Sequence, residues 1–370
     1  MLGRPVGGAQ VRVWPACGLP SADVSASGQG FPAAGELEVL ERLRRRLAGR
    51  HAEPGSMKPS AGEVFSGDDA AVLIPPAGPL LLAIDLVVEG VHFDLSLGSL
   101  ADAGWKAIAV NVSDIAAMGG RPLHVVAGVS APPETDLDEV TDGLLEACDA
   151  YGVALVGGDL TSGDRLVLSV AITGTCDGRN AVLRSGARPG DVIWVTGMLG
   201  ASAAGLELLR GAAGAVAGSA ASGAGGADED APPGSAGGTP SELVRAYRRP
   251  AARVREGSAA AASSATAMID VSDGLSQDLD HIATESRVGI RLTSVPIVTG
   301  ATLEQALGGG EDYELVFTAP EDADVVEAFK TAGLEAPIRI GACSEDATER
   351  LLGGEALRVS GWEHSFRRTR

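Results

Sequence analysis

Aspartates recur along this chain at the ends of apolar runs and beside glycines. Asp68 and Asp69 lie in Ser66-Gly-Asp-Asp-Ala-Ala-Val-Leu73, and Asp85 follows Leu80-Leu-Leu-Ala-Ile84. Asp159 follows Leu155-Val-Gly-Gly158, and Asp270 and Asp273 lie in Met268-Ile-Asp-Val-Ser-Asp-Gly-Leu275. Carboxylates at strand ends, next to glycines that let a ligand approach the backbone, are placed where hard cations such as Mg2+ are held. A single aspartate at such a place also serves as a helix cap or a turn residue. Several converging on one place would need a cation, because unpaired carboxylates repel one another.

Asp114 sits instead inside the helical pattern Trp105, Ile108, Ala109, Val112, Ile115 and Ala116. Asn111 and Asp114 are three residues apart and share a face, so both either point into one site or belong to a solvated side. An Asp in mid-helix is locally unfavourable.

The familiar phosphate signatures are missing. The lysines are Lys58, Lys106 and Lys330, none of them after a glycine, which excludes a P-loop, and no His-Arg-Asp set occurs. Thr196-Gly-Met-Leu-Gly200 precedes a helix and either presents N–H groups to a phosphate or makes a plain turn. Arg184 and Arg188 flank a turn and offer fork-shaped donors to phosphate, or are solvated. His92, Glu311 and Trp362 stand in Gly-rich or terminal contexts, each as a ligand contact or as a structural residue.

The elements that must position these groups alternate between short apolar runs and helical patterns. Strands are expected at Leu80 to Ile84, Leu123 to Val129, Ala154 to Val156 and Leu166 to Thr173. Further strands are expected at Val192 to Thr196, Ala267 to Ile269, Ile290 to Leu292, Glu314 to Phe317 and Ile338 to Ile340. Helices fall after Gly35 and at about 99–118, 135–150, 200–210, 250–265, 274–286 and 322–331. This is a mixed α/β (α+β) chain of two similar halves, with a boundary in the turn-rich stretch Arg184 to Asp191. Residues 1–33 read as a disordered extension, and 211–240 as a flexible Gly/Ala-rich insertion.

Composition narrows the chemistry. A chain of 370 residues with 45% apolar content is long enough for two domains. With 29 basic against 49 acidic residues, its charge of −20 repels a phosphate backbone and argues against nucleic acid. Any phosphorylated ligand must arrive with cations or meet local arginine. Cys17, Cys148, Cys176 and Cys343 make no C-x-x-C pair, so neither a disulfide framework nor a zinc site is indicated and a reducing, cytoplasmic setting is expected. No apolar run reaches the roughly 18 residues that would cross a bilayer.

Taken in order, these motifs resemble the thiamine-monophosphate kinase family, within the ATP-binding superfamily of aminoimidazole ribonucleotide synthetase. The resemblance runs from about Gly35 to the end. It rests on Gly67-Asp-Asp-Ala70, Asp85 through Glu89-Gly-Val-His-Phe93, Lys106-Ala-Ile-Ala-Val-Asn-Val-Ser-Asp-Ile-Ala-Ala-Met-Gly119 and Gly157-Gly-Asp159. Arg184-Ser-Gly-Ala, Thr196-Gly to Ser202-Ala-Ala-Gly205, Ile269-Asp-Val-Ser-Asp-Gly-Leu275 and Gly309-Gly-Glu-Asp-Tyr-Glu-Leu315 complete it.

The resemblance implies a domain at 34–183 that binds metal and ATP and dimerises through its sheet, and a C-terminal α/β domain at 184–370. It implies ATP as co-substrate with several Mg2+ ions, thiamine monophosphate as acceptor, and a homodimer. By motif, Asp69, Asp85, Asp114, Asp159, Asp270 and Asp273 correspond to metal ligands. Tyr151, Gly158, Asp159, Arg184 and Ser272 correspond to nucleotide contacts, and His92, Glu311 and Trp362 to positions around thiamine monophosphate. Two departures stand out: Ala83 and Ile84 replace the family's usual Ser or Thr before the strand aspartate, and Trp362 stands where Tyr is common. The implied reaction moves the γ-phosphoryl of ATP onto thiamine monophosphate, whose phosphate has a second pKa of about 6 and needs no general base. Another ATP-dependent activity of the superfamily, or a non-catalytic Mg-nucleotide regulator, stays open on sequence alone.

Overall fold

The computed structural model describes residues 36–52, 57–66, 68–218 and 238–364. The expected extension at 1–33 and residues 219–237 of the expected insertion lie outside them.

Two sheets carry the chain. The first has the order β1-β4-β2-β3, with β1 (Leu80–Val88), β2 (Arg121–Ala131), β3 (Ala154–Ser162) and β4 (Val167–Thr175). Strands β2 and β3 run parallel and the other pairs antiparallel. A parallel pair needs a crossover, here α3 (Leu137–Tyr151), while α2 (Leu100–Ala117) links β1 to β2. Both helices cover one face of this sheet, where Ile108, Val112, Leu144, Val125, Leu168, Val170 and Ile172 form a continuous core. Burial of this apolar area is the main stabilising term.

Helix α2 starts at Ser99, whose hydroxyl accepts from the Asp102 N–H while the Asp102 side chain accepts from the Ser99 N–H. It lies so close to α3 that a Cβ added at Gly143 would collide with the Ala101 carbonyl. The preceding α1 (Glu36–Ala52) docks on α3 through Arg42 and Arg46 to Asp138.

Along β1 the side chains alternate. Leu81, Ala83, Asp85 and Val87 turn toward α2, and Leu80, Leu82, Ile84 and Leu86 stand exposed on the other face, Leu82 at 74%. Asp85 pairs with Val170, Val170 with Ala127 and Ala127 with Gly158, so Asp85 and Gly158 lie in one row, three strand spacings or roughly 14 Å apart.

The second sheet has the order β11-β10-β7-β9-β5-β8-β6. Its strands are β5 (Val192–Val195), β6 (Ala267–Asp270), β7 (Gly289–Leu292), β8 (Leu315–Ala319), β9 (Ile338–Ser344), β10 (Arg350–Leu352) and β11 (Glu355–Ala356). Around them lie α4 (Ala201–Gly218), α5 (Pro240–Arg248), α6 (Val254–Ala262), α7 (Leu275–Ser286), α8 (Leu303–Gly308) and α9 (Val325–Thr331). Leu275, Leu279, Ile282, Ile269, Val316 and Ile340 form one core, and Met268, Phe317 and Phe329 another.

Several boundaries differ from the sequence reading. Strands β1 and β3 run on past Ile84 and Val156 to Val88 and Ser162, so Asp85 and Asp159 lie inside strands and not at their ends, because the pairing with β4 and β2 continues beyond the apolar runs. Helix α4 continues to Gly218, eight residues into the tract expected to be a loop, because its alanines favour helix. The helix expected at about 250–265 is instead the shorter α6, preceded by a separate α5 with Thr239 as N-cap, Pro240 at its first turn and Glu242 closing a capping box. The short elements α8, β10 and β11 carry too few residues for periodicity to show. Among the described residues no helix is long and apolar enough to cross a membrane.

Candidate active site

The two sheets bring their acids together where α2 meets β6. Strand β6 ends at Asp270, which is 4% exposed and whose Oδ2 accepts a 2.7 Å hydrogen bond from the Ser113 hydroxyl of α2. Asp114 is the next residue on α2. Asp85 joins from β1: its N–H donates to Asn111 Oδ1 at 3.1 Å, and Asn111 Nδ2 donates in turn to the Ala107 carbonyl. Asn111 is fully buried, so its amide fixes the strand to the helix one turn from Asp114.

Electrostatics confirm the crowding. Burial, then the charges of Asp270 and Asp85, push the Asp114 carboxyl up to about 8, with Arg184 opposing. Burial also raises Asp85 and Asp270; the Ser113 hydroxyl and Arg184 offset part of the rise at Asp270. Asp270 is buried and Asp85 and Asp114 are half-buried, and one guanidinium, Arg184, acts on Asp114 and Asp270, so carboxylate charge outweighs positive charge there. Their hard oxygens are the kind of donor that Mg2+ takes.

Asp273 lies on the loop after β6, at a neighbouring place. Its carboxylate, that of Asp278 and a ring nitrogen of His281 fall within 4.8 Å of one another. Burial, Asp270 and Asp273 push Asp278 up to about 8, while it accepts hydrogen bonds from the N–H groups of Gly274 and Asp273. The sequence reading passed over Asp278, whose position on the first turn of α7 is the signal for an acid bridging back to its own loop.

Asp69 and Asp159 are not part of this cluster. With Asp68 and Gly158 they line a cavity of about 650 Å3 between the β3 edge, α1 and α3, whose floor is Leu144, Val140, Leu155 and Leu47. Gly158 is needed there: any Cβ would strike the Ala127 carbonyl of β2. Tyr151 lies elsewhere again; its hydroxyl accepts from the Ala252 N–H at 2.9 Å and donates to the Pro250 carbonyl at 3.4 Å.

The residues expected around an organic substrate do converge. His92 follows β1, and its Nδ1 accepts from the Val88 N–H at 3.0 Å. Glu311 lies in a loop where Gly310, Glu311 and Tyr313 all have positive φ, of 66°, 56° and 52°. Such backbone is strained for residues other than glycine and persists where the surroundings enforce it. Here the Glu311 N–H donates to the Ser272 carbonyl at 2.8 Å and the Tyr313 N–H to the Val271 carbonyl at 3.0 Å, tying this loop to the one that carries Asp273.

Trp362 arrives on the C-terminal segment, its N–H donating to the Asp273 carbonyl at 3.0 Å and its carbonyl accepting from Gln277. His364 lies between the two rings, 5.4 Å from His92 and 5.9 Å from Trp362. Burial holds His92 below its usual range, helped by His364 and Lys106 and opposed by Glu311. Lys106 and His364, neither given a role from sequence, are what join these residues.

The departures at 83 and 84 now have a location. Ile84 is 62% exposed on the face away from Asp85, so a hydroxyl there would not reach the cluster. Ala83 shares the Asp85 face and packs against the core.

Comparison with known proteins identifies the family. The family model described as AIR synthase related protein, N-terminal domain, matches residues 67–176, and its C-terminal counterpart matches 188–351. The thiamine-monophosphate kinase of Bacillus subtilis is 34% identical over 313 residues, covering 81% of this chain and 91% of that protein. The crystal structure of thiamine-monophosphate kinase from Stenotrophomonas maltophilia superposes with a TM-score of 0.69 at 32% identity, over 87% of this chain and 98% of that one. A structure described as AaThiL complexed with AMPPCP and TMP superposes with a TM-score of 0.63 at 29% identity, over 90% and 97%.

Proposed function

The chain belongs to the AIR synthase related family and, within it, to the thiamine-monophosphate kinases, and from that membership we propose how its residues divide the reaction. It transfers the terminal phosphoryl of ATP to thiamine monophosphate, giving thiamine diphosphate and ADP. The observation that carries the site assignment is the convergence of Asp85, Asp114 and Asp270 from both sheets beside the His92, Glu311 and Trp362 group.

In this reading Asp85, Asp114, Asp270 and Asp273 would hold Mg2+, and Asp69 and Asp159 would hold a further ion at their separate cavity beside Gly158. Bound there, Mg2+ would neutralise phosphate charge so that two anions can approach in line. The protein's own task is binding and orientation. Trp362 offers a ring face for stacking, and Glu311 and His92 offer polar contacts to the substrate heterocycles. Arg184 is set against the carboxylates, where its fork also suits phosphate oxygens. Gly158 lets a nucleotide approach the β3 backbone, and Ser272 and Tyr151 complete the proposed nucleotide contacts. The acceptor phosphate is mostly dianionic at neutral pH and carries its own lone pair to the reaction, so no side chain has to remove a proton.

A homodimer through the first sheet is part of the proposal, supported by the exposed stripe Leu80, Leu82, Ile84 and Leu86. A cytoplasmic location is supported by the unpaired, buried Cys148, Cys176 and Cys343.

Calorimetric titration tests the binding half of this reading. Thiamine monophosphate should bind saturably, one per chain, to protein loaded with a non-hydrolysable ATP analogue and Mg2+. Loss of that binding when Glu311 and Trp362 are both replaced by Ala is expected; unchanged affinity would remove them from the site.

A further inference from the structure

We propose that Lys106 is a positioning residue for the acceptor, fixing Glu311 and the His92 loop relative to each other without touching substrate. The inference rests on the kinase reading and deepens it. Lys106 lies on α2 within the apolar run Trp105 to Val110, and its side chain is 2% exposed. A lysine is almost never so buried unless paired.

Its partners account for the whole ammonium. Nζ donates to Glu311 Oε1 at 3.1 Å, to Glu311 Oε2 at 3.2 Å and to the His92 carbonyl at 3.1 Å, and lies 4.3 Å from the centre of the Tyr247 ring. These partners come from three segments: the turn after β1, the strained loop 309–313 and α5. Two of them, His92 and Glu311, are the proposed substrate contacts.

Desolvating an ammonium is costly, and an apolar side chain of the same length would fill the volume without that cost. What an apolar residue could not do is hold the Glu311 carboxylate, whose left-handed backbone leaves it no regular structure to lean on. The Glu311 side chain is 26% exposed, so the carboxylate that Lys106 holds through both oxygens still meets solvent, where a substrate could reach it.

Lys106→Met is the test, with Lys106→Gln as a second variant that keeps a donor for the His92 carbonyl. Steady-state kinetics in both substrates should show KM for thiamine monophosphate raised about tenfold or more, with KM for ATP within about twofold of wild type and kcat reduced far less than KM is raised. Glu311→Gln should raise the same KM. Because Lys106 acts through Glu311, the double variant Lys106→Met/Glu311→Gln should be little worse than the poorer single variant. An unchanged KM for thiamine monophosphate would overturn the proposal while leaving the kinase reading intact. So would parallel rises in both KM values, or additive effects in the double variant, which are the marks of a merely structural lysine. A wild-type protein that makes no thiamine diphosphate would remove the kinase reading and this inference with it.

Discussion

Replacing Asp114 by Asn should make the ligand-free protein more stable and the enzyme nearly inactive. Burial and two neighbouring carboxylates raise the Asp114 carboxyl from 3.8 to about 8. At about 1.4 kcal/mol per unit, that rise of about four units corresponds to roughly 6 kcal/mol of unfavourable environment for the ionised form. A group whose folded pKa is raised contributes stability below its unfolded pKa and loses it as pH rises through the folded value. Wild type therefore loses stability between about pH 4 and pH 8, and Asn, which does not titrate, does not.

Relaxation and entry of water reduce the full figure, and about 2 kcal/mol is retained as the expected gain. At about 2–4 °C per kcal/mol, ligand-free Asp114→Asn should melt some 4 °C or more above wild type at pH 8, with the gap closing toward pH 5. Turnover should fall by about two orders of magnitude or more, since a carboxylate that holds the metal is gone. Differential scanning fluorimetry across pH, beside steady-state kinetics, reads both effects. A variant with wild-type turnover, or one that melts lower at pH 8, would refute the reasoning.

Other perturbations reach other parts of the molecule. Leu82→Asp places a charge in the exposed stripe of β1 and should convert a dimer to monomers by light scattering on a sizing column; an unchanged mass would remove this face from the interface. Asp312 is raised to about 7, chiefly by burial, although it accepts from the N–H groups of Gly200 and Ser202 at the start of α4. Its stabilising contribution is present below about pH 4 and fades as pH rises through about 7, so the melting temperature of wild type relative to Asp312→Asn should fall from pH 5 to pH 8; a constant difference would show that the carboxyl is ionised throughout. Gly143→Ala puts a methyl into the Ala101 carbonyl and should cost about 2 kcal/mol or more in urea unfolding, whereas a neutral outcome would mean that α2 and α3 separate freely.

Much of this architecture is legible in the residues. The apolar runs that became β1, β2 and β4 are long and alternate or are continuously apolar, and α2 announces itself by its stripe, while its Ser99 to Asp102 cap emerged only in the structure. The short strands β10 and β11 depend on pairing with β7 and with each other, which no local pattern encodes. Of the acids that follow apolar runs, Asp270 does end its strand, whereas Asp85 and Asp159 lie inside β1 and β3, because strand length depends on pairing with neighbours as well as on the local run.

What stayed hidden depends on distant segments meeting. Ser113 finds Asp270 across 157 residues, and Lys106 finds Glu311 across 205. Lys106 has apolar neighbours in the sequence, but the carboxylate that explains its burial lies in a distant segment. Asp69 and Asp159 show the converse: motif places them with the other acids, and the fold sets them at a separate cavity beside Gly158.

The most direct test is the reaction itself. Purified protein is incubated with ATP and thiamine monophosphate, with Mg2+ or with excess EDTA, and thiamine diphosphate and ADP are quantified by chromatography. The account predicts the two products in equal amounts with Mg2+ and neither with EDTA. ADP without thiamine diphosphate, or product formation unaffected by EDTA, would contradict it.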